Sequence, residues 1–162
     1  MDHKKTPKKY TSKADALAKL QRYCAYQDRC HKEVRSKLLE LGVYGDDLEE
    51  VISQLIEEKF LNEERYARSF ARGKFRIKQW GRSRIVRELK MRDISDYCIR
   101  KALEEIEAGE YAKALADFLA KKALLLENES GFERNNKLAQ YALRRGFEQE
   151  LVWEAIRKME RG

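Results

Sequence analysis

The fold follows from residues 85–106, which read IVRELKMRDISDYCIRKALEEI. Apolar side chains at Ile85 and Leu89 lie four residues apart, and after a break the apolar spacing resumes from Ile99 onwards. Spacings of three, four and seven residues place side chains on one face of a helix. The stretch therefore predicts two amphipathic helices joined by a tight turn.

This pattern occurs three times along the chain. Shifts of 51 and then 53 residues superimpose seven apolar positions of each copy on apolar positions of the next. Gly42 and Gly146 occupy the turn in the outer copies, where a positive φ ends a helix, and Asp93 takes that place in the middle copy. The aligned positions are Val34, Leu38, Val43, Leu48, Val51, Ile52 and Leu55; Ile85, Leu89, Ile94, Ile99, Ala102, Leu103 and Ile106; and Leu138, Ala142, Phe147, Val152, Ala155, Ile156 and Met159.

A further helical pattern precedes each pair, so each repeat is predicted to hold three helices. We expect an all-α fold of three tandem three-helix repeats in an elongated, curved array, because tandem units contact mainly their neighbours. Ser95 and Asp96 are predicted N-caps in the second repeat, as Asp46 and Asp47 are in the first. The predicted boundaries are a basic flexible tail at 1–10 and repeats at 11–60, 61–108 and 109–162. The preceding helical patterns are Ala16, Leu17 and Leu20; Tyr66, Ala67 and Phe70; and Ala114, Leu115 and Phe118.

Composition supports a helical protein inside the cell. The 162 residues include one proline and eight glycines, which favours helix over sheet. There is no run of about 20 apolar residues and no apolar signal segment at the start, so we expect a cytoplasmic protein. Three cysteines are an odd number, which argues against a disulfide framework and fits a reducing compartment.

Charge is strongly segregated along the chain. Residues 72–92, here called the basic segment, hold nine Lys or Arg against Glu88 alone, and residues 46–64, the acidic segment, hold eight Asp or Glu against Lys59. The basic segment also contains Phe75 and Trp80. Its cations could neutralise a phosphate backbone and its aromatic rings could stack on exposed bases. The alternative is a solvated basic helix face, which is common in charged proteins. The acidic segment is read as a solvated helix face or as a surface for a basic partner.

Catalytic chemistry is poorly represented. Cys24, Cys30, His31 and Cys98 have no zinc-site spacing, and no glycine-rich nucleotide-binding motif is present. His3 and His31 are the only histidines, which leaves little from which to build a nucleophilic site. We therefore expect no enzyme activity, no metal and no cofactor.

Several strings together resemble one family. Residues 61–70 (LNEERYARSF) and 80–89 (WGRSRIVREL) resemble the central region of the RecX family of recombination regulators. Residues 33–38 (EVRSKL) resemble its first repeat, and residues 144–147 (RRGF) resemble its last.

The resemblance implies a non-enzymatic regulator that binds the bacterial recombinase RecA and its filament on single-stranded DNA. Such a protein inhibits the ATPase, strand exchange and co-protease activities of RecA, and so regulates DNA repair, homologous recombination and the SOS response. The alternatives are a DNA-binding helical-repeat protein that acts without RecA, and an inert helical scaffold. We expect a monomer, with RecA or DNA contacts at Arg72, Lys74, Arg76, Lys78, Arg82, Arg84 and Arg87.

Overall fold

The computed structural model describes residues 11–162, so the predicted tail at 1–10 lies outside the described residues. Nine helices and no strand occur in the described part, in three consecutive groups of three. The predicted all-α fold of tandem three-helix repeats is confirmed. The elongated, curved arrangement and the repeat boundaries stay predictions.

No helix between residues 11 and 162 is long and apolar enough to cross a bilayer.

The helices follow the periodicity of the sequence. The helices are α1 (Lys13–Tyr26), α2 (His31–Glu40), α3 (Gly45–Glu57), α4 (Glu63–Arg76), α5 (Arg82–Met91), α6 (Asp96–Leu103), α7 (Ala108–Leu124), α8 (Gly131–Arg145) and α9 (Gln149–Arg161).

The chain forms two compact units. The first extends to Tyr66 and holds α1, α2 and α3 around a core that includes Leu20 and Leu38. The second runs from Ala67 to Gly162 and holds the remaining helices, with α4 starting just before it. Ile85 and Leu89 are fully buried in the second unit, as Leu38 is in the first, so the predicted core positions are confirmed.

The turn inside each repeat has the predicted backbone. Gly42 and Gly146 have φ values of 79° and 98°, and Asp93 adopts a φ of 57°. In every copy the amide of the residue that follows the positive-φ residue donates to a carbonyl five residues earlier, as in Val43 to Leu38 at 2.9 Å. Such a bond satisfies a carbonyl that the end of a helix leaves without a partner.

The N-cap prediction is confirmed for Ser95 and wrong for Asp96, Asp46 and Asp47, which lie in the first turns of their helices. The Ser95 hydroxyl accepts a hydrogen bond from the Cys98 amide at 3.2 Å. In the first repeat α3 begins at Gly45, with Tyr44 as an extended N-cap residue. Asp46 and Asp47 therefore lie inside the first turn, where their charges favour the positive end of the helix dipole instead of capping it.

We expect Leu89→Ala to lower the free energy of unfolding by about 2–5 kcal/mol, because the substitution leaves a cavity in a fully buried site. Urea denaturation followed by circular dichroism measures this. Leu39→Ala is the matched control, since Leu39 is 58% exposed and its loss should cost less than about 0.5 kcal/mol. Equal losses for the two variants would contradict the assignment of Leu89 to the core.

Candidate functional site: the basic segment and its junction with the third repeat

The basic segment begins on α4 and continues along α5. Between the helices, Gln79 adopts a φ of 58°, and the Trp80 amide donates to the Lys74 carbonyl at 3.1 Å. Gly81 is the N-cap residue of α5, and no side chain caps the helix at that position. The first amides of α5 therefore need acceptors from elsewhere in the fold.

Those acceptors come from the third repeat. The Gly81 amide donates to the Arg145 carbonyl at 2.7 Å, and the Ser83 amide donates to the Gly146 carbonyl at 2.9 Å. The unpaired donors that begin α5 thus meet the unpaired acceptors that end α8. The positive end of one helix dipole faces the negative end of the other, which stabilises the contact further.

Two glycines make this approach possible. A Cβ on Gly81 would lie 2.3 Å from the Gly146 carbonyl carbon and from the Phe147 amide nitrogen. A Cβ on Gly146 would lie 2.4 Å from the Arg84 Cβ. Both distances are far inside van der Waals contact, so the two backbones can meet only if both residues are glycine.

Arg82 joins the same junction through its backbone and its side chain. Its amide donates to the Tyr111 hydroxyl at 3.1 Å, and its guanidinium donates to Glu148 at 3.0 Å and lies 3.9 Å from the centre of the Tyr111 ring. The Tyr111 hydroxyl donates to the other oxygen of Glu148. Burial, followed by this bond to Glu148, raises the pKa of Tyr111, so the hydroxyl keeps its proton.

Two more of the predicted contact residues pair with carboxylates inside the second unit. Arg72 lies 3.4 Å from Glu105, which also accepts a hydrogen bond from Arg68. The Arg68 hydrogen bond, with Arg72 nearby, holds the pKa of Glu105 below its usual value. Arg76 approaches Glu110 to 3.9 Å. Glu88 is the only acidic residue within the basic segment. Carboxylates that are distant in sequence therefore offset the positive charges of Arg72 and Arg76.

Aromatic and cationic side chains form a cluster on one face of the second repeat. We call Phe70, Lys74, Trp80, Arg84 and Arg92 the cation–aromatic cluster. The Arg84 guanidinium lies 4.1 Å from the centre of the Trp80 ring, and the Lys74 ammonium lies 4.9 Å from it. Arg92 lies over Phe70, whose ring meets Trp80 edge to face. Each such contact contributes about 0.5–1 kcal/mol at an exposed site.

The structure corrects the predicted role of one aromatic residue. Phe75 is 5% exposed, and its ring stacks on Tyr111 inside the second unit. It cannot stack on a nucleic acid base from that position, so the expectation for Phe75 is wrong. Trp80 is half-buried, and its ring contacts the cations of Arg84 and Lys74.

Four of the seven predicted contact residues remain without a carboxylate partner among residues 11–162. Lys78 and Arg87 are exposed, whereas Lys74 and Arg84 are half-buried against Trp80. Arg84 and Arg87 still act at a distance on Glu88, whose pKa is lowered mainly by its hydrogen bond with Arg92. The part of the basic segment that can meet a partner's negative charge is thus smaller than its sequence suggests.

The acidic segment is partly occupied within its own unit. Glu49 accepts two hydrogen bonds from Arg35, at 2.6 and 3.1 Å, and these lower the pKa of the Glu49 carboxyl. Lys13 pairs with Glu50. All four side chains are well exposed. This arrangement is that of a solvated helix face held by surface ion pairs, which individually contribute little.

Sequence reasoning did not find Tyr111 or Glu148. Tyr111 lies outside the aligned apolar positions, and Glu148 is one of many helix-terminal carboxylates. Their partner Arg82 is 29 and 66 residues away. A single sequence carries no signal that links such positions.

The fold and this surface define a class of tandem three-helix-repeat proteins whose second repeat bears a cationic and aromatic face. Three family models match the chain in order: the first three-helix domain of RecX at residues 16–55, the second at 62–103 and the third at 110–156. The chain belongs to the RecX family.

Relatives and solved structures agree with this assignment. "Regulatory protein RecX" of Bacillus cytotoxicus is 26% identical over 130 residues, which are 80% of this chain and 48% of that protein. The protein of the same name from Prosthecochloris aestuarii is 25% identical and covers 83% of this chain and 86% of its own. The crystal structure of RecX from Lactobacillus salivarius matches with a TM-score of 0.84 at 25% identity, over 91% of this chain and 96% of that one. The chain spans about half the length of several curated relatives that it matches, such as the Bacillus protein.

We expect Gly81→Ala to lower the free energy of unfolding of the second unit by about 3 kcal/mol, because the added Cβ collides with backbone and not with a movable side chain. Thermal or urea denaturation measures the loss. Gly73→Ala is the control: Gly73 lies inside α4 with no atom near its Cβ position, so alanine should stabilise the protein by about 0.5–1 kcal/mol. A neutral Gly81→Ala would show that the two helix ends do not meet as described.

Proposed function

We propose that this chain binds the RecA recombinase and its filament on single-stranded DNA and inhibits the ATPase, strand exchange and co-protease activities of RecA. It acts without catalytic chemistry of its own, as a cytoplasmic regulator of DNA repair and recombination. The match to all three RecX domains in order is the observation that carries the proposal.

The charge distribution of the second repeat supports the proposal. Arg84 and Arg87 are successive cations on one side of α5, three residues apart, and neither has a carboxylate partner among the described residues. Lys74 in the last turn of α4 and Lys78 in the turn after it extend the same charge. Cations that are held in place by Trp80 lose little conformational entropy when a partner binds, which favours their use as contacts.

The experiment that tests the function is a titration of RecA ATPase activity on single-stranded DNA with this protein at fixed salt. Its binding to the same DNA without RecA is measured alongside. Inhibition at concentrations far below those that saturate the DNA is the expected result. Inhibition only when the DNA is coated, or no inhibition, would contradict the proposal.

We expect the double variant Arg84→Glu, Arg87→Glu to inhibit the RecA ATPase about tenfold less well, a loss of about 1.4 kcal/mol. The two reversals replace attraction to the filament with repulsion, and neither residue forms an ion pair that the fold needs. Arg82 is left unchanged, because its bonds to Glu148 and Tyr111 make any substitution there a test of folding.

The matched control is Lys19→Glu, Arg22→Glu. These residues are exposed cations on α1 with the same spacing and no carboxylate partner in the described chain. The control should inhibit as well as the unaltered protein does. Equal inhibition by both double variants would exclude Arg84 and Arg87 from the contact.

A second candidate function is direct DNA binding without RecA, which the four unpaired cations of the second repeat favour. It predicts an affinity that falls steeply with salt, with a slope of about −0.7 for each phosphate neutralised on a single strand. Measured DNA binding that is absent at physiological salt, or insensitive to salt, would exclude this function.

A further inference from the structure

An open groove lies between α7 and α9 in the third repeat. It encloses about 670 Å³, and most of its surface is carbon. Ala112 and Ala116 form its wall on α7, and Leu151, Ala155 and Met159 form its wall on α9. The small alanine side chains of α7 leave the apolar residues of α9 partly uncovered.

The same helix face is covered in the other two repeats. Two positions on this face differ in exposure between the repeats. Shifts of 51 and 53 residues align these positions across the three repeats. In the first two repeats both positions are at most 5% exposed, whereas in the third both are partly exposed and line the groove. The positions are Val51 and Leu55 in the first repeat, Ala102 and Ile106 in the second, and Ala155 and Met159 in the third.

Polar side chains bridge the corresponding helices in the earlier repeats. In the second repeat Arg68 of α4 reaches Glu104 at 3.5 Å and Glu105 at 3.1 Å, immediately beyond α6. In the first, Lys13 pairs with Glu50, and Gln21 donates to Glu58 at 2.7 Å.

The third repeat has lost the residues of this bridge. The first helices of the second and third repeats align by a shift of 48 residues, as in Tyr66 and Ala114, so Ala116 stands where the second repeat has Arg68. By the shift of 53 residues, Lys158 stands where the second repeat has Glu105. Within the described residues, no ion pair joins α7 to α9. The groove therefore lies where this repeat has a small side chain and a reversed charge in place of the Arg68–Glu105 pair.

The rim of the groove is mainly positive. Arg82, Lys113 and Lys158 lie around it, with Glu154 as the acidic residue of its lining. Lys158 pairs with Glu154 at 3.4 Å and Arg82 pairs with Glu148, whereas Lys113 has no carboxylate partner in the described part of the chain. An occupant with an apolar face and negative flanks complements this groove.

We infer that the α7–α9 groove binds an amphipathic helix of a partner protein, with its apolar side chains against Leu151 and Met159 and its acidic side chains toward Lys113 and Lys158. This inference rests on the proposed function, since it places the protein component of the filament, not its DNA, in the groove. A phosphate backbone would find alanine and leucine along the floor, where it needs cations and hydrogen-bond donors.

The double variant Ala116→Arg, Lys158→Glu tests the groove directly, because it rebuilds the bridge of the second repeat and closes the site. Inhibition of RecA ATPase should fall by about tenfold or more, which corresponds to about 1.4 kcal/mol. Binding of the variant to single-stranded DNA alone should not change. Ala120→Arg is the matched control, an exposed alanine of α7 outside the groove lining, and it should inhibit normally. Circular dichroism and thermal melting check that both variants fold.

The polarity of the partner is tested with Lys113→Glu, which leaves the apolar walls intact. It should weaken inhibition by about threefold to tenfold, in line with the loss of one charge contact at a rim. Unchanged inhibition by the Ala116→Arg, Lys158→Glu variant would overturn the inference while the proposed function stood. A parallel loss of DNA binding in that variant would also overturn it, because the groove would then be a nucleic-acid site.

A separate measurement keeps the inference testable if the unaltered protein fails to inhibit RecA at all. The probe is a fluorescein-labelled peptide of about five helical turns, with a leucine and alanine face and glutamate flanks. The peptide should bind the unaltered 162-residue chain at least tenfold more tightly than it binds the Ala116→Arg, Lys158→Glu variant. It should also bind the unaltered chain at least tenfold more tightly than an otherwise identical peptide with lysine flanks does. Equal binding in either comparison would contradict a groove for an acidic amphipathic helix.

Discussion

The meeting of two helix ends organises the second unit. The start of α5 has no capping side chain, and the end of α8 has carbonyls without helical partners, so each supplies what the other lacks. Gly81 and Gly146 allow the backbones to touch, and Tyr111 and Glu148 complete the hydrogen bonds around Arg82. A repeat protein normally joins its units through side-chain packing. Here a backbone junction adds a fixed register between the second and third repeats.

This junction decides which cations are available to a partner. Arg82 is held at the centre of the contact, and Arg72 and Arg76 face carboxylates of the same unit. The remaining cations lie beside Trp80 and along α5, directly after the helix start that the junction fixes. Structural and recognition roles are thus divided among residues that look alike in the sequence. The cations that are left available form the surface at which we propose that this member of the RecX family binds RecA.

Local features of the fold were predictable because they depend on nearby residues. The apolar spacing located the helices, and the glycines and Asp93 located the turns, since positive φ is a property of a single residue. The start of α3 was misplaced because Tyr44 gives no capping signal, and two aspartates follow it closely. Phe75 was misread because stacking on Tyr111 depends on a residue 36 positions away. The paired state of Arg82 and the open groove of the third repeat likewise depend on contacts between distant residues.

Hydrogen exchange of backbone amides tests the junction most directly. Amides in the first turn of a helix have no acceptor within the helix and exchange rapidly when nothing else bonds them. Ser83 is the second residue of α5 and donates to Gly146, whereas Phe132 is the second residue of α8 and has no acceptor among the described residues. The junction predicts that the Gly81 and Ser83 amides are protected like those of the α5 interior, while the Phe132 amide exchanges freely. Equally fast exchange at Ser83 and Phe132 would contradict it.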